Sequence, residues 1–118
     1  MSADDTGFEI ASTQTDGVAV VSVTGEVDLT NFAAMQAAVE GMATPVVVLD
    51  LSAVTFLDSF GIRAIDHARR GFLAEERTLV VVSPPDTPSA WTLRVAGFDP
   101  GLMVESVDAA LATGASPA

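Results

Sequence analysis

The sequence predicts an α/β domain, on three observations. Two alternating segments at the start are broken at Asp16-Gly17, Val46 to Leu51 is almost unbroken in aliphatics, and from there to Val82 the order is strand, helix, strand with short links. The chain has 118 residues, 49% of them apolar, which suits one domain with one core and no disulfide or metal staple. That domain is expected to span 1–118, with its core over about 8–112 and frayed ends.

Phe8 and Ile10 alternate with Glu9 and Ala11, and Val18 to Val23 follow the Asp16-Gly17 break, which predicts a hairpin. From Thr30 to Met42 the residues Phe32, Met35, Val39 and Met42 share one helical face. Thr30 or Asn31 serves as cap, and Gly41 and Pro45 stop the helix. Val46 to Leu51 reads as a central strand covered on both faces. Ser59 to Leu73 is the next helix, with Ile62, Ile65, Ala68 and Phe72 inward. Gly71 and the charged Glu75-Glu76-Arg77 mark its exit.

Thr78 to Val82 is strand again, so the crossover is expected to be parallel and right-handed. Thr87 caps a helix with Pro88 in its first turn, placing Trp91, Val95 and Phe98 on one face before Gly97 ends it. A short strand from Leu102 to Val104 and a helix from Ser106 to Ala112 complete the chain.

Composition removes several function classes. Sixteen acidic residues against five arginines and no lysine give a net charge of −11, which repels nucleic acid and anionic membrane and favours a cationic protein surface as partner. No segment reaches the roughly 18 apolar residues of a membrane span, and the acidic N-terminus is unlike a signal peptide, so a cytoplasmic protein without membrane insertion is expected. The sequence carries no signal for a particular oligomeric state.

With one histidine and no cysteine a zinc site lacks ligands, and without lysine or G-x-G-x-x-G there is no nucleotide loop. No metal and no cofactor are expected. Ser59 and His67 lie eight residues apart on one helix, about 12 Å along its axis, too far for nucleophile and base. The reading is therefore a binding module and no enzyme. Asp50 and Asp58, bracketing a loop after the central strand, read as turn or cap acids rather than a catalytic pair.

The remaining feature is the polar Asp58-Ser59 interrupting Phe56 to Ile62, where strand passes to helix. One of the two is the N-cap, the reading that local physics favours. Alternatively Ser59 presents its hydroxyl to another molecule, since the first helical amides lack partners and the dipole there welcomes a phosphate.

Val21 to Leu29 (VSVTGEVDL) and Val48 to Ile62 (VLDLSAVTFLDSFGI) resemble the two signature blocks of the STAS domain, the family of bacterial anti-sigma factor antagonists. The resemblance runs from about Phe8 to Ala112 and implies a mixed β-sheet with helices packed on it, in agreement with the periodicity. It implies binding to an anti-sigma factor that is also a serine kinase, which frees the sigma factor and regulates transcription, commonly in stress responses. Phosphorylation of the serine in an Asp-Ser-small-Gly motif, here Ser59, switches such proteins off.

The same resemblance assigns Asp28 to the docking surface, and Asp58, Ser59, Phe60, Gly61 and Arg63 complete the partner-binding set. Phe60 departs from the pattern, which has a small residue there. A second reading that the family allows is a STAS subunit of a lipid-transport or signalling assembly that is never phosphorylated. Arg63 and Arg70 share a face and either meet acidic groups on a partner or leave Arg69 and Arg70 to complement the end of their helix; the latter is favoured.

Overall fold

The computed structural model describes residues 7–98 and 103–113. The hairpin is β1 (Glu9–Thr15) and β2 (Val18–Val27), antiparallel, with Thr15 opposite Val18. Asp16 and Gly17 both have positive φ, 45° and 85°, as a two-residue type I′ turn requires, and its twist matches that of the strands. Then follow α1 (Phe32–Glu40), β3 (Val46–Leu57), α2 (Ser59–Ala74), β4 (Thr78–Val82), α3 (Pro88–Val95), β5 (Met103–Val104) and α4 (Val107–Thr113). The expected strand start at Leu102 and the frayed ends fall outside the described residues.

The five strands form one mixed sheet in the order β1-β2-β3-β4-β5, with every pair after the first parallel. Strand alternation sends Val21, Val23, Val47, Leu49, Leu79 and Val81 to one face, where they pack with Met35 and Val39 of α1, Ile65 and Phe72 of α2, and Leu93 of α3. Val48, Val80 and Val82 point to the other face, covered by Ala110 of α4 with Val107.

Three expectations change. The central strand is twelve residues long, so Asp50 lies within it and no loop follows. Two register shifts against β2 place extra residues in β3 and interrupt its apolar alternation, which is why 52–57 reads as loop in sequence. At the first shift the Asp50 carboxylate accepts the Ser52 amide (3.0 Å) and the Ser52 hydroxyl.

The α3 stripe is also different. Trp91 and Val95 are 61% and 66% exposed, while Ser89, Ala90 and Leu93 face the sheet. The Ser89 hydroxyl reaches the Leu51 carbonyl of β3 at 3.5 Å, an approach that small side chains permit. Phe98 is buried but lies past the helix end.

Finally, α2 runs through Gly71, and Glu76, with φ 60°, takes the left-handed position after it. No basic residue occupies the last turn of α2. Arg69 and Arg70 instead both pair with Asp66, at 3.1 and 2.8 Å, so they do not complement the helix end.

Candidate functional site at the start of the second helix

Val27 pairs with Leu57, the last residues of two adjacent parallel strands. The residues that follow, Asp28 and Asp58, therefore emerge side by side at the carboxyl end of the sheet, where open α/β sheets usually bind ligands and partners. The Asp58 amide donates to the Val27 carbonyl at 3.1 Å and locks the two ends together.

Asp58 is the N-cap of α2. Its Oδ1 accepts the amides of Phe60 (3.0 Å) and Gly61 (3.1 Å). Ser59 is then the first helical residue and is exposed. Of the sequence alternative, the cap falls to Asp58, and Ser59 is left exposed to solvent. Of the first helical amides expected to lack partners, those of Phe60 and Gly61 are already taken by Asp58.

Asp28 is held by its own loop. Its Oδ1 accepts the Thr30 hydroxyl (2.6 Å) and the Thr30 amide (2.9 Å), and these bonds hold its carboxyl below the usual carboxylate range. Asn31 closes the loop, donating through Nδ2 to the Glu26 carbonyl (2.8 Å) and accepting the Asp28 amide at Oδ1 (2.9 Å). It is the N-cap residue of α1, though its side chain caps nothing there.

Thr30→Val removes the hydroxyl bond and leaves the amide bond, so the Asp28 pKa is expected to rise partway toward its ordinary value in a carboxyl-carbon NMR titration. Because that pKa is depressed on folding, the contribution of Asp28 to stability is complete at neutral pH. It is lost as pH falls through the folded-state value.

Phe60 turns onto α1. Its ring stacks on Phe32, with centroids 5.6 Å apart and planes 28° from parallel, and remains 38% exposed. Gly61 is buried beneath the site. A Cβ there meets Leu57 Cδ1 at 2.5 Å and Val27 Cγ1 at 3.0 Å, so glycine lets α2 sit directly on the strand ends that carry both aspartates.

Arg63 is exposed one turn further on, between two open grooves. One, about 370 Å³, runs between α1 and α2 along Phe32, Gln36, Phe60 and Ala64. The other, about 550 Å³, lies between α2 and the end of α3, along Ile62, Asp66, Arg70 and Phe98. Arg63 and His67 line both.

The predicted site residues Asp28, Asp58, Ser59, Phe60 and Arg63 are thus brought to one end of α2, with Gly61 under them. Sequence reasoning gave Thr30 and Asn31 only a capping role, although the polar pair so close to Asp28 is the signal for their bonds around it, and assigned Phe32 only to the core. Among the described residues no three potential metal ligands cluster, and no helix is long and apolar enough to cross a membrane.

The family described as Mlab, STAS domain, matches residues 10–111. An anti-sigma factor antagonist from Mycobacterium paratuberculosis has a similar crystal structure, with 30% identity and a TM-score of 0.82 over 98% of this chain and 100% of that one. The phosphorylated form of the Bacillus cell-fate determinant SpoIIAA shares the fold at 15% identity, with a TM-score of 0.69 over 93% and 100% of the two chains. So does a sulfate transporter family protein from Wolinella succinogenes, at 17% identity, with a TM-score of 0.71 over 85% and 86%. Comparison with curated proteins finds no sequence match.

Proposed function

The chain belongs to the STAS domain family, and on that premise we propose that it is an anti-sigma factor antagonist, a cytoplasmic regulator of transcription switched by phosphorylation of Ser59. Unmodified, it binds an anti-sigma factor that is a serine kinase and so frees the sigma factor. The observation that carries this reading is the exposed Ser59 at the first position of α2, beside two carboxylates at the ends of adjacent strands. The 30% identity to an anti-sigma factor antagonist along essentially the full chain supports the partner class.

The docking face is Asp28, Asp58, Ser59, Phe60 and Arg63. A phosphate on Ser59 adds about −1.5 to −2 charge there. With the Phe60 and Gly61 amides already given to Asp58, these two donors are not open to that charge, which stands on the face itself. Pressing this added charge into an interface that already carries two carboxylates and offers it no partner group costs several kcal/mol, and about 3 kcal/mol weakens binding roughly a hundredfold. The domain works by binding and release, with no turnover.

Incubation with ATP and the cognate kinase is expected to add one phosphoryl group to the wild type and none to Ser59→Ala, read by intact mass. A second reading, a STAS subunit of a lipid-transport or transporter assembly without a switch, is favoured by the Mlab description of the matching family and by the ring of Phe60 beside the serine. An unmodified wild type in the same assay overturns the switch and favours that reading.

A further inference from the structure

We infer that Arg63 is the counter-ion of phosphorylated Ser59, and that modification withdraws this cation from the two grooves it lines. The inference rests on Ser59 being the modified residue.

Ser59 and Arg63 stand four residues apart on α2 and are both exposed. Residues at this spacing have Cβ atoms about 5–6 Å apart, and an anion N-terminal to a cation is the favoured direction. A guanidinium meets a phosphate with two parallel hydrogen bonds, a geometry that a shorter or neutral side chain does not offer.

The other arginines are committed or distant. Arg69 and Arg70 hold Asp66, and Arg77 holds Glu75 and two backbone carbonyls at the far end of α2. Arg94 belongs to α3. Among the described residues the Arg63 side chain has neither an ion pair nor a hydrogen bond.

The surroundings of Ser59 make a counter-ion necessary. Asp58 precedes it and Asp28 lies beside Asp58, and each carboxylate is fixed by two donors of its own. Neither is free to turn away from a new dianion. The cation one turn along is the group that relieves the repulsion. Before modification Arg63 stands between the α1–α2 and α2–α3 grooves. Afterwards it is held toward the start of α2, so the docking face gains negative charge and loses a positive one in the same event.

The test uses the full chain with phosphoserine inserted at position 59 during translation, so no kinase is needed. Phosphorus NMR follows the second ionisation of the phosphate in the wild-type background, Arg63→Ala and Arg63→Lys. The dianion is expected to form at a pH lower by about 0.4 of a unit with Arg63 than with alanine. Lysine is expected to recover part of the difference, and 1 M salt to close it. Equal titrations with arginine and alanine overturn the proposal. A kinase that fails to modify Ser59 removes the switch but leaves this titration unchanged, whereas equal titrations remove the counter-ion and leave a kinase switch standing.

Discussion

Gly61→Val is expected to lower the unfolding free energy by about 3 kcal/mol, roughly 10 °C in Tm, in thermal and urea denaturation. An added Cβ has 2.5 Å to Leu57 and 3.0 Å to Val27, and both of these side chains are fully buried at the ends of β3 and β2. Gly61→Ala sets the same clash against the helix propensity that alanine gains, about 1 kcal/mol, and the clash is expected to win because Leu57 and Val27 are both fully buried in a close-packed core. Gly71, in the same helix, is the control. Nothing lies within 4 Å of its Cβ position, so Gly71→Ala is expected to stabilise by up to about 1 kcal/mol. A lifted α2 also separates Asp58 and Ser59 from Asp28, so Gly61→Val is expected to lose partner binding beyond its loss of stability.

Arg77→Ala is expected to cost about 3 kcal/mol, by urea unfolding. The side chain is four-fifths buried and bridges elements far apart in sequence. Its Nε and one terminal nitrogen donate to the Thr44 carbonyl at 3.1 and 2.9 Å, and that terminal nitrogen also donates to Met42 at 2.5 Å. The guanidinium lies 4.1 Å above the ring of Phe72. Removing it strands two carbonyls between α1 and β3 and uncovers a core ring. The partner Glu75 is exposed, so Glu75→Ala is expected to change stability by less than about 0.5 kcal/mol. A loss in Arg77→Ala as small as that overturns the staple.

How far the sequence reveals this architecture depends on whether the deciding contact is local. The hairpin, α1 and the Thr87 cap of α3 follow from turn chemistry and helical spacing within a few residues. Strand β3 is half legible, because its two irregularities break the alternation on which strand recognition depends. The inward face of α3 is misread for another reason: periodicity weighs hydrophobicity, whereas close approach to β3 selects small side chains, so Ser89 goes in and Trp91 stays out. Arg77 looks like part of a solvated helix exit and proves to be a staple, since its acceptors are more than 30 residues away.

The site follows the same rule. The polar pair Asp58-Ser59 marks itself in sequence, as does the alternative between cap and hydroxyl. That Asp28 stands beside it depends on β2 pairing with β3, a non-local fact that the family resemblance supplied and the Val27–Leu57 register explains. The free state of Arg63 was beyond the reach of sequence, for it depends on Asp66 having been claimed by the two arginines that follow.

Trp91 is the single tryptophan, and its indole already lies mostly in water on α3. Intrinsic fluorescence is therefore a poor gauge of denaturation here, and circular dichroism is the better optical signal for the variants above. The same indole is a natural spectroscopic beacon for one surface. A protein that settles over α3 shifts its emission to the blue, whereas one that engages only the opening turn of α2 leaves the spectrum where it stands.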